Sequence, residues 1–103
     1  MLLRNLMNLI FEVEDKSSRV IHLSNERWKH INQEHPEVSL YIEEIKETLK
    51  NPVKITNYPF DENLRYYYKY VKEKEPAKYL LVIVKYLNNH GFIITAYFVN
   101  NIK

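Results

Sequence analysis

The sequence LSNERWKHINQEHPE at residues 23–37 predicts a short helix that a proline ends. Trp28 and Ile31 are three residues apart, so on a helix they share a face that can pack into a core. Pro36 disfavours helical geometry at the residue before it, and the helix is therefore expected to end at His35. Two of the four His of the chain lie in this stretch. Imidazoles exchange protons near neutral pH, although a structural role for either His is the alternative.

The residues around this helix predict where it begins and which element comes after it. Ser24 is the expected N-cap, and Glu26 suits the positive end of the helix dipole. A second helix is expected at residues 38–50, because apolar residues recur there at spacings of four, three and four. That apolar stripe consists of Val38, Ile42, Ile45 and Leu49.

Strand-like patterns lie on both sides of the two helices. Two strands are expected before them, at residues 9–14 and 19–23. Four more are expected after them, at residues 53–58, 64–72, 79–87 and 92–99. The segment 79–87 is the most apolar and is expected to be central in the sheet. Residues 88–91 form a strong hairpin-turn signal and hold the only Gly of the sequence, where a positive φ is expected.

This order of elements predicts an α+β fold. Two N-terminal strands precede two helices, and a four-stranded antiparallel meander comes after them. Short connections favour pairing between sequential strands, and helices grouped ahead of a meander are expected to pack on one face of the sheet.

Length and composition predict one folded domain over residues 1–103, with residues 1–8 as a candidate arm. The hydrophobic content of 46% supports a globular fold. The chain has no Cys, which excludes disulfides and thiolate metal sites and favours a reducing, cytoplasmic location. No apolar run approaches the 18–20 or so residues that a membrane span needs, so no membrane association is expected.

Charge is distributed unevenly along the chain. Residues 1–64 hold 8 Lys or Arg against 11 Asp or Glu, a net charge of −3, whereas residues 65–103 hold 7 against 2, a net charge of +5. A basic half can face phosphate groups. Lysines that solvate strand edges are the alternative explanation.

Several kinds of catalytic site are excluded by the sequence. With a single Gly, the chain can contain neither a glycine-rich dinucleotide motif nor a P-loop, and a Ser nucleophile elbow is excluded for the same reason. His30, Glu34 and His35 have neither of the two spacings known for zinc-binding helices. We therefore expect no metal and no cofactor.

The remaining polar residues are of the kinds that metal-free RNA cleavage needs. Such cleavage uses a base for the 2′-OH, an acid for the leaving 5′ oxygen, and a cation or hydroxyl at the phosphate. Candidate proton-transfer groups are the two His of the first helix. Arg65 and Lys69 can supply positive charge, Thr95 a hydrogen bond, and Tyr67 or Tyr97 a surface on which a base stacks. Cross-strand packing is the alternative for the tyrosines.

Five segments occur together in a recognisable order: RWKHI at 27–31, HPE at 35–37, ETLKNP at 47–52, RYYYK at 65–69 and TAY at 95–97. In this order they resemble the phage- and toxin-associated branch of the barnase–EndoU–colicin–RelE-like nuclease superfamily. The resemblance extends from about Val20 to Tyr97, which is most of the chain.

The resemblance implies an α+β fold and metal-independent endoribonuclease activity, often that of a toxin neutralised by an antitoxin or immunity protein. RNA, including tRNA, is the implied substrate. Four residues match motif positions that would be catalytic: His30, His35, Lys69 and Thr95. The residues expected to bind substrate are Arg65, Tyr67, Lys85 and Tyr97.

Two other functions fit the sequence. One is a non-catalytic RNA-binding module that uses a basic, tyrosine-rich sheet, and the other is a protein-interaction module. The nuclease hypothesis requires the side chains of His30, Lys69 and Thr95 to lie within about 10 Å of each other, the span of one phosphodiester and its bases. The alternatives require no such cluster.

Overall fold

The computed structural model describes residues 8–103, so all of the predicted arm except Asn8 lies outside the described residues. The strands are β1 (Leu9–Glu14), β2 (Val20–Ser24), β3 (Lys54–Tyr58), β4 (Asp61–Tyr70), β5 (Tyr79–Leu87) and β6 (His90–Val99). The helices are α1 (Asn25–Glu34) and α2 (Ile42–Lys50), with short 3-10 turns at Pro36–Val38 and Lys72–Lys74.

The six strands form one mixed sheet in the order β1-β2-β6-β5-β4-β3. Strands β3 to β6 pair antiparallel in sequence, as the predicted meander requires, and β5 is central. Strand β2, however, pairs parallel with β6 through residues 20–22 and 90–92. The α+β class is therefore confirmed, and the first two strands extend the predicted antiparallel meander into a six-stranded mixed sheet through this parallel pair.

The sheet has two distinct faces because side chains alternate along each strand. The helix face carries Leu80, Val82 and Val84 of β5, which belong to one core with Ile31 of α1 and Ile45 of α2. The opposite face, here called the open face, carries a second cluster with Tyr68, Leu81 and Ile83 at its centre. Both helices thus pack on one side of the sheet, as the sequence predicts.

The second helix begins later than predicted. Pro36 starts a 3-10 turn in which the Ser39 amide donates to the Pro36 carbonyl at 3.1 Å, and α2 begins only at Ile42. A proline suits the first position of a helical turn but supports no bond through its own nitrogen. Val38 is nevertheless fully buried, so the predicted apolar stripe reaches the core from two separate elements.

The only Gly is needed for space and not for a positive φ, which corrects the prediction made for this turn. Gly91 has a negative φ, and the positive φ of the turn belongs to Asn88, at 54°. A Cβ atom at Gly91 would lie 2.9 Å from the Lys85 carbonyl oxygen and 3.0 Å from a methyl carbon of Ile21. A side chain at position 91 would therefore clash with both neighbouring strands.

Candidate active site

Strand β2 leads into helix α1 without an intervening loop. Ser24 is the last residue of β2 and also the N-cap of α1, where its hydroxyl accepts a hydrogen bond from the Arg27 amide at 3.0 Å. This confirms the predicted cap. Trp28 and Ile31 turn towards the core, as their spacing predicts. On the side of α1 away from Trp28 and Ile31, its first two turns face the C-terminal end of β2 and the beginning of β6.

A pocket of about 520 Å³ lies at this junction and is here called the His pocket. It is lined by His22, Ser24, Glu26, Arg27, His30, Phe92 and Ile93. Phe92 of β6 is the register partner of His22 across the parallel pair. The parallel pairing of β2 with β6 therefore builds one wall of the pocket, and α1 builds the other.

His22 has the environment of a neutral imidazole. Its Nδ1 atom is buried and has no hydrogen-bond partner in residues 8–103, and it lies 3.9 Å from Oε2 of Glu12. Its ring stacks on His90 with centroids 5.7 Å apart. Burial lowers the pKa of His22 below its ordinary value, a positive charge on His90 lowers it further, and the Glu12 carboxylate partly opposes the shift. An imidazole that stays neutral near pH 7 can accept a proton.

His30 and Arg27 face the same pocket from α1. They are three residues apart and so lie on one side of the helix. The His30 side chain is exposed to solvent, while Arg27 is half-buried. Within the part of the chain that the structure describes, the Arg27 guanidinium makes no ion pair. The pocket therefore combines one sheltered imidazole, one exposed imidazole and one guanidinium that is available to an anion.

Two further predicted residues, His35 and Thr95, lie near the later part of β6. Thr95 belongs to β6 on the open face, and His35, at the end of α1, contacts β6 through Tyr97. The His35 ring stacks on Tyr97 with centroids 4.7 Å apart and an interplanar angle of 20°. Thr95 is opposite Ile83 in the β5–β6 register, and its buried hydroxyl has no hydrogen-bond partner among the described residues. These residues extend the polar and aromatic surface beyond the His pocket.

Lys69 is not brought together with these groups. It lies opposite Leu80 in the β4–β5 register, on the helix face, whereas Thr95 lies on the open face. The side chains of His30, Lys69 and Thr95 therefore do not form the predicted cluster, because Lys69 and Thr95 lie on opposite faces of the sheet. Strand alternation is the reason, because residues an even number of positions from buried Tyr67 on β4 share its side of the sheet.

The predicted substrate-binding residues also separate. Tyr67 is fully buried, so its ring offers no surface on which a base could stack. Its hydroxyl forms hydrogen bonds with Asp15 and Tyr86. Arg65 lies over the Tyr86 ring at 5.0 Å and donates to the carbonyls of Glu62 and Leu64. Both are positioned by the fold on the helix face.

Lys85 and Tyr97, in contrast, lie on the open face. The Lys85 ammonium donates to an Asp61 carboxylate oxygen at 2.6 Å, and this hydrogen bond is the main cause that lowers the pKa of Asp61. The charge of Lys85 is thus partly offset, while the ring of Tyr97 remains against His35.

The family model described as phage-Barnase-EndoU-ColicinE5/D-RelE like nuclease 2 matches residues 10–102, nearly the whole chain. The chain belongs to this nuclease family. The comparisons with curated proteins and with solved structures gave no significant match. Membership confirms the resemblance inferred from the five segments, and it indicates nuclease activity on a nucleic acid substrate.

Two residues of the His pocket, His22 and Arg27, were not identified from the sequence. His22 was not among the sequence candidates, because its neighbours depend on the parallel pairing of β2 with β6, which no local pattern indicates. Arg27 stands one residue before Trp28 in the segment RWKHI, and its spacing of three from His30 was a signal available in the sequence.

In residues 8–103 of this nuclease, no three His, Asp or Glu side chains are grouped so that they could hold a metal ion. None of the helices described is both long and apolar enough to cross a membrane.

Proposed function

We propose that this nuclease is an endoribonuclease whose active site is the His pocket. The observation that carries the proposal is the placement of a half-buried His22 and an exposed His30 around one pocket, to which Arg27 adds a guanidinium without an ion pair among the described residues. Two imidazoles on either side of a phosphodiester are what general acid–base cleavage of RNA needs.

In the proposed mechanism, His22 removes the proton from a ribose 2′-OH. The 2′ oxygen forms a bond to phosphorus, and the bond from phosphorus to the 5′ oxygen breaks. His30 in its protonated form gives a proton to that 5′ oxygen, and Arg27 stabilises the negative charge on the phosphate. The products are a 2′,3′-cyclic phosphate and a 5′-OH, and the step needs no water as nucleophile.

Residues further along the open face complete the proposal. His35 and Tyr97 are proposed to contact the nucleotide next to the cleaved bond. The hydroxyl of Thr95 is buried, so Thr95 is not proposed to contact the substrate. Lys69, Arg65 and Tyr67 have no part in it, because they lie on the helix face.

The test is incubation of the purified protein with single-stranded RNA in the presence of a chelator. Cleavage that gives 2′,3′-cyclic phosphate ends, and that stops when the 2′-OH at the cleaved position is replaced by a 2′-O-methyl group, is the expected result. Cleavage of the matching DNA at a similar rate, or 5′-phosphate products, would contradict the mechanism. Salt-dependent RNA binding without any cleavage would favour the non-catalytic RNA-binding alternative.

The rate of cleavage should depend on the protonation of His22. Because the pKa of His22 is lowered from 6.5, kcat/KM is expected to rise with pH with a midpoint below 6.5. His90→Asn removes a charge that lowers this pKa, so the midpoint should move up. Glu12→Gln removes a charge that raises it, so the midpoint should move down. A pH–rate profile of the three proteins measures both shifts, and movement of both variants in one direction would exclude His22 as the base.

The resemblance to toxin-like members supports a broader role. We propose that the enzyme cleaves RNA, including tRNA, in the cytoplasm and that an antitoxin or immunity protein neutralises it. Expression in a host cell should then slow growth, and His30→Ala should remove this effect at equal protein levels. Equal growth inhibition by both proteins would contradict this role.

A further inference from the structure

Aromatic side chains are exposed where β3 turns into β4. Phe60 at the tip of the turn is 85% exposed, and Tyr58 beside it is 37% exposed. The rings of Tyr58 and Phe60 have centroids 5.6 Å apart, and the ring of Tyr66 lies parallel to Tyr58 at 6.0 Å. Exposed apolar groups of this size that gather in one place usually mark a contact surface.

These rings continue across the open face towards α1. Tyr66 pairs with Ile83 of β5, which in turn pairs with Thr95 of β6. Burial raises the pKa of the Tyr66 phenol, and the phenols of Tyr97 and Tyr58 raise it further, as expected for hydroxyl groups that lie near each other. Tyr97 stacks on His35, so one group of rings lies at the β3–β4 turn and a second at the end of α1, with Ile83 of β5 between their strands. This surface, here called the aromatic track, consists of Tyr58, Phe60, Tyr66, Tyr97 and His35.

The charge around the aromatic track suits a polyanion. From Leu64 onwards, the open-face positions of β4, β5 and β6 include Lys85 and no Asp or Glu. Lys54 of β3 is exposed opposite Tyr68 on the same face. The carboxylate of Asp61, at the start of β4, is held by Lys85 at 2.6 Å. A phosphate backbone that crosses these segments of the three strands would therefore meet no unpaired negative charge on them.

We propose that the aromatic track binds single-stranded RNA by stacking its unpaired bases and leads it towards the His pocket. Every base has a flat face that can stack on an aromatic ring, so such a surface binds unpaired strands with little sequence preference. Bases inside a duplex already stack on one another and offer no free face. The inference rests on the proposed function for the identity of the ligand, and the residues that it adds to the substrate-binding surface are Tyr58, Phe60 and Tyr66.

Binding should be measured with a fluorescent 12-nucleotide RNA that carries 2′-O-methyl groups throughout and so resists the proposed cleavage. The double variant Tyr58→Ala with Phe60→Ala is expected to raise Kd by about tenfold or more, since loss of one stacked base costs about fivefold to 100-fold. Its affinity for a duplex of the same sequence should remain unchanged and weak. Phe60→Trp should retain the wild-type affinity for the single strand.

Two matched controls separate stacking from a general loss of apolar surface. Tyr70→Ala removes a tyrosine from the strand and face that carry Tyr66, outside the aromatic track, and Leu40→Ala removes a side chain that is 89% exposed and lies between the two helices. Neither should change Kd for the single strand by more than about twofold. Thermal unfolding of each variant checks that the fold is retained.

Equal binding by the double variant and the wild type would overturn the inference, and so would equal affinity for duplex and single strand. A double variant that binds RNA normally but no longer binds a neutralising protein would show instead that the surface is a protein interface. The proposed function has its own test, because His22→Ala should reduce cleavage by about 10²–10⁴-fold, and an unchanged rate would count against the proposed function and not against the aromatic track. Binding with no cleavage by the wild type would overturn the proposed function alone.

Discussion

His22→Ala and His30→Ala are each expected to reduce the rate of RNA cleavage by about 10²–10⁴-fold, the usual contribution of one proton-transfer group. The reason is that each imidazole of the His pocket serves one end of the reaction, the 2′-OH or the leaving 5′ oxygen. Single-turnover cleavage of a short RNA in a chelator measures the chemical step directly. The double variant should lose little more than either single variant, because groups that act as a unit are not additive.

Lys69→Ala is the matched control for this prediction, because the sequence motifs favour Lys69 as a catalytic group and the structure places it on the helix face. Its rate should stay within about threefold of the wild type. The cleavage rate of Arg27→Ala should lie between that of Lys69→Ala and those of the two His variants. A loss of about 10²-fold is expected when one group that stabilises transition-state charge is removed. A severe loss in Lys69→Ala together with normal rates in both His variants would refute the His pocket as the active site.

Asp15→Ala is expected to lower the free energy of unfolding by about 3 kcal/mol, because it removes the acceptor of two buried hydroxyls and of three partly buried donors. Asp15 is only 5% exposed. One carboxylate oxygen accepts from the Ser17 amide and the Arg19 amide, both at 2.9 Å, and from the Ser17 hydroxyl at 2.8 Å. The other oxygen accepts from the hydroxyl of Tyr67 and from that of Tyr86. The Asp15 side chain thus joins the β1–β2 turn to Tyr67 of β4 and Tyr86 of β5.

Denaturant unfolding measures this loss, and a double-mutant cycle with Tyr67→Phe tests its origin. Tyr67→Phe alone should cost about 1–2 kcal/mol, and the double variant should cost less than the sum, since both changes break one network. Asp61→Ala, which removes a carboxylate at the edge of the open face, should leave the unfolding midpoint almost unchanged. Additive losses in the cycle would show that Asp15 stabilises the turn independently of Tyr67.

The same network predicts a loss of stability at high pH. Burial and the hydrogen bond to Asp15 raise the pKa of Tyr67 above its ordinary value of 10.0. Above that pH the unfolded chain releases the phenol proton, while the folded chain retains it, so the free energy of unfolding falls as pH rises. Tyr67→Phe should show a shallower decline.

The parts of the fold that the sequence predicts are those set by neighbouring residues. The Ser24 cap, the packing of Trp28 and Ile31, and the central position of β5 follow from local spacing and composition, and the structure confirms them. The parallel pairing of β2 with β6 joins two short segments about 70 residues apart, and no local pattern indicates it. The fold class was therefore predictable, and the order of all six strands was not.

The residues of the candidate site also fall into those that local sequence identifies and those that only the long-range pairing of strands brings together. His30 was identified from a local motif, but His22 became a candidate only when β6 and α1 were placed around it. The tyrosine-rich segment of β4 has the right composition for RNA contact, yet alternation sends Lys69 and Tyr67 to the helix face and Tyr66 to the open face. A motif match identifies residue types at positions along the chain, and the strand register decides which of them can meet a substrate.

Because β2 becomes α1 at a single residue, the rotation of the helix about its own axis is set by the length of the chain there. One residue inserted after Ser24 would rotate the side chains of α1 by about 100° about the helix axis relative to β2. His30 would then no longer point into the pocket that it shares with His22. An insertion of the same size in the exposed segment at residues 72–76 would leave both imidazoles where they are. Insertions and deletions are therefore expected to be tolerated least at the junction of β2 and α1, because no loop there can absorb a change in length.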